Sequence, residues 1–363
     1  MNTIGRMFRL TTWGESHGTS VGAVVDGCPS GLALALEDIQ MELDRRRPGQ
    51  SSLTTSRTEE DIVEIHSGLF EGKTLGTPIM MIVHNRDADS SKYIPLKDTP
   101  RPGHADLTWR EKFGHVDWRG GGRSSARETV GRVAGGAVAK KLLKTKDIEV
   151  IAFTRQIGSI VSEEDADLKL KGLRELVDSN PVRALDIEKA KEMEELIEIA
   201  KKQKDSVGGV IEVHAVNVPT GLGEPVFGKL TSDLAGALAS IPAVKGVEFG
   251  AGFKLAEMRG SEANDEFTIE GNRVRTKTNN SGGIQGGISN GMPIIMRVAV
   301  KPTSSMGKEQ STVNLQSKRK AKISVEGRHD PCIVPRAVPI VEAMVSLIIA
   351  DHCLIAGLIP RRL

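Results

Sequence analysis

The chain has 363 residues, of which 39% are hydrophobic and 26% are charged, and its formal net charge is +2 at pH 7. These values are ordinary for a globular protein that buries one large core or two smaller ones. Aromatic residues make up only 3% of the chain, so the basic charge and the stacking side chains of a nucleic-acid-binding protein are both missing.

The cysteines indicate a reducing compartment. Cys28, Cys332 and Cys353 are sparse and lack the spacing of metal ligands, which favours a cytoplasmic protein without a metal site. Residues 1–10 lack the long apolar segment of a signal peptide. The longest apolar run, residues 338–350, is too short to cross a bilayer, so it predicts a buried helix and no membrane association.

The first motif in chain order is Gly-Glu-Ser-His-Gly at residues 14–18, just before a strand-like run at 21–25. His17 fits an acid/base or phosphate-contacting group better than the partner of a serine nucleophile, because no strand-to-helix turn follows. The alternative is a histidine whose hydrogen bonds are satisfied in a turn.

Three consecutive arginines close the next element, a helix predicted at residues 36–43. Arg45, Arg46 and Arg47 precede Pro48 and Gly49. Cations at a helix C-terminus complement the helix dipole. Three guanidiniums also suit an anion with several negative groups, and the two readings stay open here.

Strands are predicted at residues 62–65 and 78–83, and a long loop at 85–103 leads into Arg-Pro-Gly-His-Ala-Asp at 101–106. Ordered loops of this length are often functional. His104 lies between a glycine and Asp106, a carboxylate that could set the tautomer of its ring.

Residues 117–129 carry the strongest signal: three glycines, then Arg123, Ser124, Ser125 and Arg127, at the start of an apolar helix predicted at 124–143. Free backbone N–H groups, the positive helix end and planar guanidiniums together form an anion site. The plainer alternative is a turn with a serine cap. Gly135 and Gly136 lie inside this helix, which predicts a close packing contact there, since glycine costs roughly 1 kcal/mol against alanine.

The second half of the chain begins with a strand at 149–153 and a charged segment at 162–206, which includes a helix at 187–204. We expect this segment to be a solvated excursion without chemistry. A strand at 210–218, a helix at 230–238 and a strand at 293–300 follow. Glycine-rich residues 279–291 and then Lys-Pro-Thr-Ser-Ser at 301–305 favour a phosphate site.

Short motifs repeat between the two halves. Residues 26–32 and 217–222 each link a strand to a helix, Gly-Thr-Pro-Ile at 76–79 resembles Gly-Met-Pro-Ile at 291–294, and Gly-Arg precedes an apolar helix at 122 and at 327. We therefore expect two similar halves within one pseudo-symmetric domain covering residues 1–363. Chance repetition of common turn residues is the alternative.

Seven motifs together resemble the chorismate synthase family: GESHG at 14–18, DRRRPG at 44–49, RPGHAD at 101–106, GGGRSSARET at 120–129, GGIQGGISNG at 282–291, KPTSS at 301–305 and GRHDPC at 327–332. They occur once each, in the order of that family, and span nearly the whole chain. The resemblance implies an enzyme, a carbon–oxygen lyase. It removes phosphate and a ring hydrogen from 5-enolpyruvylshikimate 3-phosphate in a 1,4-elimination to give chorismate, the last common step to the aromatic amino acids. The family requires reduced FMN, which transiently supplies an electron although the reaction has no net redox change.

The resemblance also assigns roles to residues of this chain. His17 would protonate the leaving phosphate, His104 would balance charge near flavin N1, and Asp330 would accept a proton by way of flavin N5. The substrate would be bound by Ser16, Arg45, Arg46, Arg47 and Arg127. The flavin would be bound by Arg123, Ser124, Ser125, Ala243, Gly286, Lys301, Pro302, Thr303, Ser304, Ser305 and Arg328.

The fold implied is α+β, a β-α-β sandwich with helices packed between antiparallel sheets, assembled as a homotetramer. Many relatives carry a further arginine where this chain has Ser51, Ser52 and Leu53, which weakens any NADPH contact there. Some members reduce their flavin with NADPH and others use an external reductase. The sequence shows no extra reductase domain and favours the second type. The alternative function is a non-catalytic binder of flavin or a phosphorylated metabolite, which would not need the two histidines and Asp330.

Overall fold

Two five-stranded antiparallel sheets form the outer layers of the molecule. The computed structural model describes residues 1–49, 59–86, 90–163, 172–325 and 329–363. Sheet 1 has the order β1-β2-β3-β5-β4, with the bounds β1 Thr3–Ile4, β2 Arg9–Trp13, β3 Ser20–Asp26, β4 Val63–Ile65 and β5 Ile79–His84. Sheet 2 has the order β9-β10-β8-β6-β7, with the bounds β6 Glu149–Ile157, β7 Ile160–Val161, β8 Gly209–Val216, β9 Val244–Phe249 and β10 Ile294–Val300.

The main helices pack between the sheets. The helices are α1 Leu36–Arg46, α2 Asp106–Phe113, α3 Thr129–Lys144, α4 Leu173–Asp178, α5 Ile187–Lys202, α6 Leu230–Ala239, α7 Gly260–Ala263 and α8 Val334–Ile355. Helix α3 contacts β2, β3 and β5, helix α8 contacts β6 and β8, and the two helices contact each other. The predicted α+β sandwich, with helices between antiparallel sheets, is therefore confirmed.

Helix α8 forms the centre of the core. Its apolar composition and 22 residues would suffice to cross a membrane, but its most apolar stretch is 94% buried inside the fold. The prediction of a buried helix is confirmed, and its bounds extend beyond residues 338–350. One continuous hydrophobic core runs from sheet 1 through α3 and α8 to sheet 2.

The glycine pair inside α3 marks the closest packing in the helical layer. A Cβ added at Gly136 would lie 2.3 Å from the Cβ of Ala343 in α8, and one added at Gly135 would lie 2.4 Å from a methyl group of Leu10 in β2. Neither position can hold alanine without moving its neighbour, because such separations are far inside van der Waals contact. The predicted close packing contact at these two glycines is confirmed. The close approach of α3 to α8 and to sheet 1 compensates for the cost of glycine inside a helix.

The topology supports the expected internal duplication. In the first half the chain forms β2, β3, α1, β4, β5 and α3, and in the second half it forms β6, β8, α6, β9, β10 and α8. The corresponding strands also occupy corresponding places, since β2-β3-β5-β4 in sheet 1 matches β6-β8-β10-β9 in sheet 2. The segment with β7, α4 and α5 interrupts the second half between β6 and β8.

The charged segment is less solvated than its composition suggests. Helix α5 buries Ala190, Met193, Ile197 and Ala200 on one face. Its N-terminus is capped by the Asp186 side chain, which accepts hydrogen bonds from two backbone N–H groups. The predicted helix is confirmed, and this helix is amphipathic and packs one face against the fold.

Candidate active site

The glycine loop at residues 120–122 adopts a backbone that other residues rarely follow. Gly120, Gly121 and Gly122 have φ values of +59°, +83° and +55°, in the left-handed region that glycine enters without steric cost. The loop continues through Ser125, whose side chain accepts a hydrogen bond from the Arg127 backbone N–H. Helix α3 begins only at Thr129. The predicted start at residue 124 is therefore wrong, because Ser125 is extended and a short 3-10 turn occupies residues 126–128.

The glycine loop brings the two predicted catalytic histidines together. A Cβ at Gly120 would lie 2.1 Å from Cδ2 of His17, and a Cβ at Gly121 would lie 3.0 Å from Cε1 of His104. Adjacent glycines therefore pack against the two imidazoles, although the histidines are 87 positions apart in the sequence. The absence of side chains on the loop makes room for both rings.

Two residues of the long loop at 85–103 hold His17 in place. Its Nδ1 lies 2.9 Å from the hydroxyl of Ser90, and the ring of Tyr93 meets the imidazole edge-on at a centroid distance of 5.0 Å. The neighbouring Ser16, which was predicted to bind substrate, is buried, and its backbone N–H donates to the carbonyl of Gly122. His17 is thus fixed by the loop and by the glycine turn.

His104 is paired with a carboxylate. Its Nδ1 lies 2.6 Å from Oδ1 of Asp106, and Arg101 donates to both oxygens of the same carboxylate at 2.7 and 2.8 Å. Burial would raise the pKa of the Asp106 carboxyl, but the hydrogen bonds from Arg101 and His104 outweigh burial and hold that pKa far below its usual range. Asp106 is therefore ionised throughout the neutral range.

The predicted phosphate segment at residues 301–305 packs against the loop that carries His104. Lys301 Nζ and the Ser304 hydroxyl both donate to the carbonyl of Gly103, at 3.1 and 2.8 Å. The Ser305 hydroxyl accepts from Arg101 Nη1 at 3.0 Å. The backbone N–H of Lys301 donates to the carbonyl of Ala243 at 2.9 Å, so that residue adjoins the same segment.

Two of the predicted substrate arginines converge. Arg46 Nη1 donates to Asp61 Oδ2 at 2.8 Å, and Arg127 Nη1 donates to the other oxygen of the same carboxylate. Burial lowers the pKa of the Arg46 guanidinium to about 10, with Asp61 opposing the shift and Arg336 and Arg127 adding to it. The guanidinium remains cationic at neutral pH.

The predicted base, Asp330, lies beside this cluster. Arg336 Nη1 donates to Asp330 Oδ2, and Arg336 Nε donates to the carbonyl of Arg46 at 3.3 Å. Arg127 Nη1 also pairs with Glu59 at 2.6 Å, so three arginines and three carboxylates from four distant segments meet at the C-terminus of α1 and the start of α8. Arg47, the next residue after α1, is half-buried.

Arg45 points elsewhere. Its guanidinium donates to Glu342 at 2.7 Å, to Asp178 at 2.9 Å and to Glu42 at 3.1 Å. Glu342 is fully buried in α8 and also pairs with Lys140. The Arg45 side chain is therefore directed toward the buried Glu342, and none of the described contacts joins it to Asp61 or to Arg127. The physical reason is helical geometry, which rotates adjacent side chains by about 100°.

The remaining predicted cofactor residues fall into different places. Arg123 donates to the carbonyl of Thr12 at 3.1 Å and to that of Gly14 at 3.3 Å, and the Ser124 hydroxyl donates to the carbonyl of Gly121 at 2.6 Å. Pro302 is exposed beside Lys301. Gly286 lies in the turn between the two-residue strands Ile284–Gln285 and Ile288–Ser289, and none of the described contacts joins it to either histidine.

A large cavity borders the glycine loop. Its volume is about 1690 Å³, and Gly121, Gly122 and Ser124 form part of its wall. All three tryptophans of the chain line it as well: Trp13, Trp109 and Trp118. Cofactor and ligand pockets commonly measure about 300–1,000 Å³, so the cavity has room for a cofactor-sized molecule; Arg123 and Ser124 line it, but His17, His104 and residues 301–305 do not.

Two predictions lie outside the described residues: Arg328 as a flavin ligand, and Ser51, Ser52 and Leu53 as the departure from the family pattern. The sequence motifs do not single out Asp61, Tyr93 or Arg336, which the structure places at the site. The acidic run at residues 59–61 was a signal for Asp61, since a carboxylate must neutralise clustered arginines. Tyr93 and Arg336 carry no comparable sequence signal.

Comparison with known proteins agrees with the motifs. The sequence profile of the family described as chorismate synthase matches residues 8–354. The chorismate synthases of Methanosarcina mazei and Methanocaldococcus jannaschii are each 56% identical to this chain, over 363 and 370 residues. The first alignment covers 100% of this chain and 99% of the relative, and the second covers 99% and 98%.

A solved structure is also similar. A crystal structure of chorismate synthase superposes with a TM-score of 0.77 at 35% sequence identity, covering 97% of this chain and 92% of that chain. The profile, the full-length relatives and this structure all agree, and the chain therefore belongs to the chorismate synthase family.

Proposed function

We propose that the protein catalyses the 1,4-elimination of phosphate from 5-enolpyruvylshikimate 3-phosphate to give chorismate, with reduced FMN as cofactor. The observation that carries the proposal is the meeting of His17 and His104 on one glycine loop, beside the segment 301–305. The Asn85 side chain joins this site to the arginine cluster, since it accepts from Arg127 at 2.8 Å and donates to the carbonyl of Gly18 at 2.9 Å. A protein that only bound the ligands would need the cations but not two positioned imidazoles. Family membership supports the same chemistry.

The arginine pair suits the substrate, which carries one phosphate and two carboxylates. Arg46 and Arg127 are aligned by their common counterion Asp61, so their side chains are ordered before a ligand arrives. Guanidinium groups bind such anions through parallel, charge-assisted hydrogen bonds. In this proposal Arg46 and Arg127 bind and orient the substrate, and Arg45 stabilises the core.

His17 is proposed to protonate the leaving phosphate. Histidine titrates near neutral pH in general, and a positioned general acid typically contributes about 10²–10⁴-fold to a rate. Ser90 and Tyr93 hold the His17 ring against Gly120, so the imidazole keeps one orientation. Asp330 is proposed to accept the proton that leaves the ring, and its partner Arg336 would stabilise the carboxylate until then.

The residues at 301–305 fit an FMN phosphate. Lys301 supplies a cation, and three hydroxyls follow it. Thr303 Oγ1 is buried and has no hydrogen-bond partner among the described residues, which is costly unless a ligand completes its hydrogen bonding. When bound, reduced FMN would supply the transient electron that assists loss of phosphate. Ser124, Ser125 and Arg123 are proposed to border the flavin beside the cavity at the glycine loop.

The proposal also covers the location of the protein, its assembly and its source of reduced flavin. The protein is proposed to act in the cytoplasm as a homotetramer and to obtain reduced flavin from an external reductase. NADPH remains the alternative reductant.

Anaerobic turnover with chemically reduced FMN tests the proposal. We expect chorismate to form from 5-enolpyruvylshikimate 3-phosphate only when reduced FMN is present, and NADPH with oxidised FMN to give little product. Tight binding of both ligands without product would show a binding protein instead. Efficient turnover with NADPH would overturn only the assignment of the reductant.

A further inference from the structure

Asp106, the first residue of α2, has more hydrogen-bond partners than a simple ion pair requires. Oδ2 accepts from the backbone N–H of Arg101 at 3.0 Å and from Nε of the same residue at 2.8 Å. Oδ1 accepts from Arg101 Nη2 at 2.7 Å and lies 2.6 Å from His104 Nδ1. Arg101 alone would neutralise this carboxylate, so the contact with His104 needs a separate explanation.

The contact with His104 fixes the position of a proton. Two unprotonated acceptors would repel each other at 2.6 Å, so one of them must carry hydrogen. Asp106 is ionised, and the proton therefore lies on His104 Nδ1. The Arg101 nitrogen that lies 3.1 Å from Nδ1 consequently donates to the carboxylate, because a protonated Nδ1 cannot accept a hydrogen bond.

Packing holds the imidazole in this orientation. Gly121 approaches the ring at Cε1, where an added Cβ would lie 3.0 Å away, inside ordinary van der Waals contact. Arg101 is itself buried, and Nη1 is bound to the hydroxyl of Ser305. No hydrogen-bond partner of His104 Nε2 is found in the part of the chain that the structure describes. Nε2 is thus the ring atom that remains available to a ligand.

We propose that Asp106 is a positioning residue that holds His104 as the Nδ1–H tautomer and so presents Nε2 to the bound flavin. The role in turnover rests on the proposed function, whereas the tautomer does not. Arg101 extends the arrangement by joining Asp106 to Ser305, so that the loop with His104 and the segment 301–305 are held in register.

Asp106→Asn is the informative variant, because Arg101 dictates how the new amide would lie. Two Arg101 donors meet Oδ2 and only one meets Oδ1, so the amide oxygen takes the Oδ2 place. The amide NH₂ then faces His104 Nδ1 and donates to it. The same substitution in a catalytic Asp–His pair of serine proteases puts the histidine in the wrong tautomer.

The first measurement is nitrogen NMR of the ligand-free protein labelled with 15N-histidine, with His104→Ala used to assign the signal. We expect the His104 signal of neutral imidazole to show a protonated Nδ1 in the parent and a protonated Nε2 in Asp106→Asn. The control is Asp98→Asn, which removes a nearby carboxylate paired with Arg110 at 3.2 Å, and it should leave the signal unchanged. A protonated Nε2 in the neutral imidazole of the parent would overturn the proposal without any variant.

The second measurement is steady-state kinetics with reduced FMN. Asp106→Asn should lower kcat by about 10²-fold, on the scale of general acid–base groups, with a much smaller change in KM. Asp106→Glu, which keeps a carboxylate, should recover part of the loss. The same Asn substitution made in His104→Ala should lower kcat little further, because the carboxylate acts through the histidine. An equal loss of kcat with and without His104 would show that Asp106 has a purely structural role. If NMR shows the expected tautomers but the protein is inactive under all conditions, only the proposed function is contradicted.

Discussion

At the scale of single residues, adjacent arginines of one motif have different partners. Arg46 shares Asp61 with Arg127, while Arg45 turns to the buried Glu342. The spacing of the run leaves anion binding and complementation of the helix dipole equally open, and the family resemblance assigns all three arginines to the substrate without distinguishing among them. That distinction depends on the rotation of side chains around α1 and on α8, whose Glu342 is 297 positions away from Arg45.

Arg46→Ala should weaken substrate binding by about 10- to 100-fold, since a hydrogen bond to a charged group contributes roughly 1.5–3 kcal/mol. Flavin binding should change far less. Arg45→Ala is the matched control in the neighbouring position. It should lower the free energy of unfolding by about 3 kcal/mol, because it removes one partner of a buried ion pair, and it should leave the substrate Kd nearly unchanged.

Titration calorimetry and thermal melts of the two variants measure these effects. Equal losses of substrate affinity in both variants would show that Arg45 also reaches the ligand. Unchanged affinity in Arg46→Ala would reduce the cluster to a structural ion network.

At the scale of elements, the glycine loop shows what local sequence can and cannot predict. Three glycines followed by two serines predict an anion site at a helix start. The structure instead places left-handed turns first and begins α3 at Thr129. The sequence contains no sign that Gly120 and Gly121 face two imidazoles, because those contacts come from distant loops.

Gly120→Ala should lower kcat by about 10²-fold, the scale of a lost general acid, because its Cβ would displace His17. Gly271→Ala is the control. Gly271 has φ +60°, against +59° at Gly120, but a Cβ there meets no atom within 4 Å. Both variants should lose about 1–2 kcal/mol of stability from the left-handed backbone. If kcat falls equally in both, the loss comes from strain and not from His17.

A buried carboxylate at the centre of sheet 2 makes the stability of the fold depend on pH. Glu212 in β8 accepts from Arg297 in β10 at 2.7 Å and lies 2.7 Å from His214 Nε2. Burial would raise the pKa of the Glu212 carboxyl, but His214 and Arg297 lower it to about 2. An unfolded glutamate titrates near pH 4.3, so this carboxylate stabilises the fold by about 3 kcal/mol above that pH, and the contribution is lost as pH falls toward 2.

Glu212→Gln should therefore be less stable than the parent at pH 7, and the difference should shrink as pH is lowered from 4.5 toward 2.5, roughly the range between the two pKa values. Chemical denaturation at each pH measures it. Glu266→Gln is the control, since Glu266 is an exposed partner of Lys277, and its difference from the parent should be small at every pH. A constant difference for Glu212→Gln would contradict the assigned pKa.

At the scale of the whole molecule, much of the fold follows from the sequence. Hydrophobic periodicity predicts α1, α5, α6 and α8 and the main strands, and the repeated turn motifs indicate two halves. It does not predict α2, whose eight residues bury no side chain and so leave no apolar stripe. The layered arrangement itself came from family resemblance, because strand order depends on pairing between distant segments.

The sequence predicts candidate site residues where the residue type is itself reactive or charged. His17 and His104 stand out beside glycines in the sequence, and Arg127 follows the glycine loop in the run Arg-Ser-Ser-Ala-Arg. Asp61 pairs with Arg127, Arg101 pairs with Asp106 beside His104, and Arg336 pairs with Asp330. Such pairings become visible only when the partners are adjacent in space. The same limit applies to Arg45, whose pairing with the distant Glu342 has no sign in the sequence.

The central claim is that His17, His104 and Asp330 perform the proton transfers of one elimination. The most direct measurement is kcat of His17→Ala, His104→Ala and Asp330→Ala under anaerobic conditions with reduced FMN, together with the flavin Kd of each variant. We expect each variant to lose at least ~10²-fold in kcat while flavin binding largely survives. Near-normal kcat in all three variants would leave the family assignment standing and contradict the mechanism.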